Sequence, residues 1–337
     1  MNKLFLLLSF LTLNLSSSIM NEISFEHDGK SRSYLIYVPN NINLDNKNDL
    51  IIGLHGYTGT ASGFEKETTG GLNITAEKYG FIAIYPQGSF FNKNLFRYSF
   101  ISSWNDLVGS KNTTDEGEIC SIDAEIAPKY PDCKNSPRCS WTSCSNDIDF
   151  IKKIIDKTKE DNNIRNIYLL GMSNGGMMAQ AMACKYPELF KAVVNIVGMQ
   201  HKGGSCVPEK PVNFIIYAGA KDTVVPPVNI ESYDGYYYEP MNNTFNSWSK
   251  KFNCLKFNDD KYVYFDEFEQ KTAFDCNNNV KIFSILNMDR GHLWPGISSN
   301  GGYCSTSSQS NINYLKCKKS KKNHWGNDFL MEILLNL

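Results

Sequence analysis

Ile167-Tyr168-Leu169-Leu170-Gly171-Met172-Ser173-Asn174-Gly175-Gly176 is the stretch that decides how this chain folds. The apolar run 167–170 reads as a buried strand, and residues 176–183, rich in Met and Ala, read as a helix. Between them stands Gly-x-Ser-x-Gly, the pattern of a sharp strand-to-helix turn that exposes a serine hydroxyl. The flanking glycines have a steric purpose, since a side chain there meets the neighbouring strand or helix. A serine held in such a strained turn is a candidate nucleophile.

Outward from this turn, short apolar runs alternate with helical patterns. Residues 32–39 alternate like a strand and stop at Pro39, and residues 50–54, 81–86, 192–197 and 212–218 read as buried strands. Residues 74–79, 147–160, 240–254 and 325–335 read as helices, and 261–265 and 280–286 as late strands. This alternation predicts a mostly parallel central sheet flanked by helices. Residues 87–146 lack periodicity, hold four cysteines, and read as a disulfide-tied insertion over one end of the sheet. No internal repeat or interdomain linker stands out, so residues 19–337 read as one catalytic domain.

A serine nucleophile needs a histidine to take its proton and a carboxylate to orient that histidine. Where the serine sits in this kind of turn, the chain order is serine, acid, histidine. The chain has five histidines. His27 and His55 precede Ser173, and His201 precedes every well-placed acid. His324 follows a Lys-rich stretch, which leaves His292, in the loop after strand 280–286. Asp222, directly after strand 212–218, is the preferred acid, and Asp289 is its rival. For an oxyanion hole the backbone N–H of Asn174, next to the nucleophile, pairs with that of Tyr57 in the loop after strand 50–54. Trp104 and Trp294 fit either an aromatic wall for a substrate or plain core packing.

The 337 residues are 42% hydrophobic and 20% charged, with a net charge of −1. That balance points to neither nucleic acid nor an anionic membrane as a partner. Lys3, the apolar stretch 4–15 and Ser16-Ser17-Ser18 read as a secretory signal peptide over residues 1–18. Ten cysteines then predict disulfides in a secreted protein, with their pairing open. No Cys-x2-Cys pair and no histidine at zinc spacing is present, so neither a metal nor another cofactor is expected. Asn73, Asn112 and Asn242 begin N-x-T sequons and predict a glycoprotein in a eukaryotic host. The cluster Lys316, Lys318, Lys319, Lys321 and Lys322 reads as a solvated loop.

The motifs Leu54-His55-Gly56-Tyr57-Thr58-Gly59, Tyr85-Pro86-Gln87-Gly88, Ser103-Trp104-Asn105, Gly171-Met172-Ser173-Asn174-Gly175, Lys221-Asp222-Thr223-Val224-Val225-Pro226 and Gly291-His292-Leu293-Trp294-Pro295-Gly296 occur in one order. As an ordered set, over residues 30–335, the chain resembles secreted α/β-hydrolases of the polyhydroxybutyrate depolymerase and feruloyl esterase type. The resemblance implies the triad Ser173, Asp222 and His292, and disulfides Cys184–Cys206 and Cys254–Cys276. Two departures from the pattern are the long insertion and the Cys- and Lys-containing tail 301–322.

The function expected from residues and resemblance together is a secreted, monomeric serine carboxylesterase. Its substrates would be feruloyl or acetyl esters of plant cell-wall polysaccharide. The alternatives are an extracellular polyhydroxybutyrate depolymerase, a serine peptidase on the same scaffold, and a non-catalytic binding protein of this fold.

Overall fold

A computed structural model describes residues 19–68, 71–92, 100–297 and 325–337. The signal segment, His324, Cys304, Cys317 and the Lys-rich cluster lie outside the described residues. The strands are β1 Ile19–His27, β2 Lys30–Val38, β3 Asn48–Leu54, β4 Phe81–Pro86, β5 Ser89–Asn92, β6 Phe100–Ser103, β7 Thr113–Thr114, β8 Gly117–Glu118, β9 Ile164–Met172, β10 Ala192–Ile196, β11 Asn213–Gly219, β12 Lys256–Val263, β13 Glu267–Phe274 and β14 Ile282–Asn287. The α-helices are α1 Ala61–Glu67, α2 Leu72–Tyr79, α3 Asp147–Asp161, α4 Asn174–Lys185, α5 Met241–Lys251 and α6 Trp325–Leu335.

Ten strands form one sheet in the order β1-β2-β4-β3-β9-β10-β11-β14-β13-β12. Its six central strands, β4 to β14 in that order, run parallel. Both flanks are antiparallel. The predicted mostly parallel sheet therefore describes the centre, and the whole sheet is mixed. Every residue of β4, β10 and β11 is buried, as expected where helices cover both faces.

Within this sheet two strands escaped the sequence reading and one was misplaced. β1 pairs with β2 along its length. β13 buries only Phe268 and Ala273, so its alternation is faint. β12 covers residues 256–263 rather than 261–265 and is exposed almost throughout. Its Lys256, Asp259, Asp260 and Lys261 are the charges that keep an open edge from pairing with another chain.

Helix α3 starts where its sequence says it should. The Asn146 side chain accepts the Asp149 N–H at 3.4 Å, and Asp147 and Asp149 favour the positive helix end. Asp147 has a second task. It is buried, bonds Arg32 at 2.7 Å and accepts the Asn105 N–H at 2.7 Å, tying β2 and the loop after β6 to the helix.

Four disulfides join described residues. Cys184–Cys206 and Cys254–Cys276 match the pairing implied by the resemblance. Cys120–Cys139 and Cys133–Cys144 staple the insertion. The insertion also holds two short hairpins, β5 with β6 and β7 with β8.

Candidate active site

Ser173 stands between β9 and α4 with φ 56° and ψ −124°, a region few non-glycine residues occupy. Its N–H donates to the Ile196 carbonyl at 2.8 Å, which anchors the turn to the end of β10. The flanking glycines are needed for close approach. A Cβ on Gly171 would lie 1.9 Å from the Gly175 carbonyl oxygen, and one on Gly175 would lie 2.2 Å from that of Leu54. Only bare backbone lets α4 start this near the end of β3.

Asp222 follows β11 and His292 follows β14, which are neighbours in the sheet. Asp222 is buried. Its Oδ1 accepts the N–H groups of Val224 and Val225, both at 2.9 Å. Its Oδ2 lies 2.8 Å from His292 Nδ1. With Oδ1 occupied by two donors, Oδ2 is the acceptor for Nδ1–H, and Nε2 is left as the basic nitrogen. The rival Asp289 is engaged elsewhere, accepting the Glu267 N–H at 2.9 Å. The remaining described histidines have structural partners. His27 lies 3.0 Å from the Asn146 carbonyl, His55 lies in the loop after β3, and His201 bonds Trp141.

His55 shapes the loop that carries Tyr57. It is fully buried, and burial holds its imidazole down at about 4, so the ring is neutral. Nε2 accepts the Gly88 N–H at 3.0 Å, which leaves Nδ1–H to donate to the Gly56 carbonyl at 2.8 Å. The Gly59 N–H donates to the same carbonyl at 3.0 Å. Because a peptide plane is rigid, pinning the Gly56 oxygen also fixes the direction of the Tyr57 N–H.

Trp104 and Trp294, which fitted either a substrate wall or core packing, lie in the core. Trp104 is 0% exposed and Trp294 is 1% exposed. The Trp104 indole donates to the His55 carbonyl at 2.8 Å. Its backbone exchanges hydrogen bonds with the Asn174 side chain at 2.6 and 3.1 Å. Trp104 thus clamps the Tyr57 loop to the residue after Ser173. Trp294 donates to Asn327 Oδ1 at 2.9 Å and packs edge-on against Phe64 at 5.3 Å. Each indole N–H finds its partner inside, so each ring stays inside.

The aromatic wall comes from elsewhere. A cavity of about 320 Å³ opens onto Ser173 and is lined by Tyr57, Trp141, Met177, Tyr236 and Tyr238. A larger cleft of about 520 Å³, along β2, holds neither Ser173, Asp222 nor His292. Trp141, Tyr236 and Tyr238 went unnoticed in the sequence because they lie in segments without periodicity. Their one signal was position, beside Cys139 and Cys144 or shortly after Asp222. Among the described residues no group of three His, Cys, Asp or Glu side chains is placed to hold a metal.

A family model described as alpha/beta hydrolase fold matches residues 124–211. A probable acetylxylan esterase A of Aspergillus fumigatus is 28% identical over 184 residues, covering 55% of this chain and 39% of that protein. A feruloyl esterase B of Neurospora crassa is 28% identical over 165 residues, covering 49% of this chain and 43% of the relative. The chain thus spans less than half the length of these two relatives. Among solved structures, an acetyl xylan esterase from Aspergillus awamori superposes with a TM-score of 0.52 at 16% identity, covering 82% of this chain and 94% of that one. The chain has the α/β-hydrolase fold, and its sequence resembles those of acetylxylan and feruloyl esterases.

Proposed function

We propose that the protein is a secreted serine carboxylesterase that removes acyl groups, feruloyl or acetyl, from plant cell-wall polysaccharide. The observation that carries this reading is the 2.8 Å pair of His292 Nδ1 and Asp222 Oδ2, one strand-end loop from another in the sheet that presents Ser173 in its strained turn. In this reading Ser173 Oγ attacks the ester carbonyl while His292 Nε2 takes its proton. Asp222 holds the tautomer and stabilises the imidazolium. The N–H groups of Tyr57 and Asn174 receive the developing oxyanion, each worth about 3 kcal/mol of transition-state stabilisation. His292 then protonates the leaving alcohol, and water releases the acid from the acyl-enzyme. The relatives named above support ester chemistry, and the aromatic cavity favours an acyl group larger than acetyl.

The test is Ser173→Ala assayed on p-nitrophenyl acetate, methyl ferulate, acetylated xylan and hydroxybutyrate oligomers. The expected loss is about 10⁴-fold or more on every ester the parent cleaves. Undiminished hydrolysis by the variant would reject the reading. Preference of the parent for hydroxybutyrate oligomers would move the substrate from polysaccharide esters to polyester.

A further inference from the structure

His201 has no place in the triad, yet it touches most of the wall around Ser173. It follows β10 and is fully buried. The Trp141 indole N–H donates to His201 Nε2 at 2.8 Å. An indole nitrogen can only donate, so Nε2 carries no proton and Nδ1–H donates to the Tyr237 carbonyl at 3.0 Å. The imidazole stacks on Tyr238, with centroids 4.7 Å apart and planes 18° off parallel. It also meets the rings of Trp141 and Tyr236, each at 5.8 Å. Trp141 in turn stands edge-on to Tyr57 at 5.4 Å. Four aromatic residues that line the cavity are therefore joined, directly or through Trp141, to one imidazole behind them.

The arrangement also bridges two separate segments. Trp141 belongs to the disulfide-stapled insertion, whereas Tyr236 and Tyr238 belong to the excursion after Asp222. Backbone bonds run along the same seam, with Ser121 N–H to the Gly235 carbonyl at 2.8 Å and Tyr237 N–H to that of Ile119 at 3.0 Å. Within the seam His201 is the side chain that accepts from one segment and donates to the other.

We propose that His201 is a specificity-determining positioning residue, which holds the Trp141 indole against Tyr57 and thereby sets the cavity beside Ser173 to take a planar aromatic acyl group. This rests on the esterase reading of that site. Burial holds the imidazole down at about 4, which keeps Nε2 an acceptor at neutral pH. Without an acceptor, the Trp141 N–H is left unpaired in a dry wall. The indole then turns toward water and the cavity loses its shape.

Two substitutions separate this role from a merely structural one. His201→Gln places an amide oxygen near the position of Nε2 and keeps the acceptor for Trp141. His201→Asn reaches only the position of Nδ1, keeping the bond to Tyr237 and losing that to Trp141. The readout is the ratio of kcat/KM for methyl ferulate to kcat/KM for p-nitrophenyl acetate. His201→Asn should lower this ratio about tenfold, and His201→Gln should keep it within about threefold of the parent. The indole N–H resonance of Trp141 reads the bond without reference to activity. It should stay protected from exchange in the parent and in His201→Gln, and lose protection in His201→Asn. If Ser173-dependent hydrolysis stands and both variants show the parent ratio, the proposal fails while the esterase reading survives. Equal losses for both variants, or unchanged Trp141 protection in His201→Asn, also overturn it. If Ser173→Ala is as active as the parent, the esterase reading fails, and with it the assignment of the cavity as an acyl site.

Discussion

Two regions meet at the cavity beside Ser173. One is the set of loops that follow β3, β9, β11 and β14. The other is the insertion of residues 87–146. The loops rise from strands buried on both faces, and backbone approaches backbone so closely that Gly171 and Gly175 cannot carry side chains. The insertion has little regular structure, so its backbone groups find other partners. The Lys129 ammonium donates to the carbonyls of Pro137, Arg138 and Ser140 at 2.6, 2.8 and 2.9 Å. Arg138 reaches the Ser121 carbonyl at 2.7 Å, and two disulfides close the remaining loops. The triad candidates lie on the part held by backbone geometry, and one side of the wall, with Ile101, Ala127, Pro128 and Trp141, lies on the part held by side chains and sulfur. A wall built that way can change without disturbing the strand ends.

The largest effect should come from the strand-end loops. Gly175→Ala drives a Cβ to 2.2 Å from the Leu54 oxygen and 2.5 Å from that of His55, both backbone atoms. The expected loss is about 5 kcal/mol of stability, or no soluble protein at all, read by denaturant titration.

Acid should strike the strand-end loops through His55 and the seam between insertion and excursion through His201. His55 and His201 have folded-state values lowered to about 4 from 6.5. As pH falls below 6.5 the unfolded chain takes up those protons first. Stability therefore drains between 6.5 and 4, by roughly 7 kcal/mol for the two histidines together. Asp106 acts in the opposite sense. Burial raises its carboxyl to about 6 from 3.8, so protonation of the folded state restores about 3 kcal/mol over 6 to 3.8. The net loss should be about 4 kcal/mol, read as the urea midpoint at pH 7.5 against pH 4. In His201→Gln the histidine share should fall by half. A midpoint that does not move would mean that neither ring is buried as described.

Opening the Cys120–Cys139 bridge tests the insertion alone. The bridge spans 19 residues, and the double variant Cys120→Ser with Cys139→Ser should lose about 3 kcal/mol. Hydrolysis of p-nitrophenyl acetate should outlast that of methyl ferulate. If the two fall together, the insertion supports the strand-end loops as well as the wall, and the contrast between them breaks down.

The smallest effect belongs to a glycine of the insertion. Gly117 has φ +110°, and a Cβ there meets nothing within 4 Å. Gly117→Ala should cost only its backbone strain, about 1 kcal/mol by thermal unfolding.

How much of this was legible depended on how local the cause was. The turn at Ser173, the burial of β4, β10 and β11, and the span of α6 all follow from residues close together in sequence. Asp222 and His292 stood out as candidates because each lies in a loop that follows a strong strand. β13 was missed because its alternation is faint, whereas β1, whose Ile23, Phe25 and His27 turn inward between exposed Glu22, Ser24 and Glu26, was legible and overlooked beside the signal segment. For Trp104 and Trp294 wall and core stayed open, because an aromatic residue next to a motif looks the same whether it faces in or out.

By itself, the order of residues determined the strand-turn-helix around Ser173 and singled out Asp222 and His292 as the candidate acid and histidine. Steric exclusion and hydrophobic periodicity act over a few residues, and both are written locally. Only the tertiary structure decided which rings face the cavity. Trp104 found the His55 carbonyl inside the protein and Trp141 found His201 at the wall. An indole N–H settles wherever a buried acceptor exists, and those acceptors lie 49 and 60 residues away along the chain.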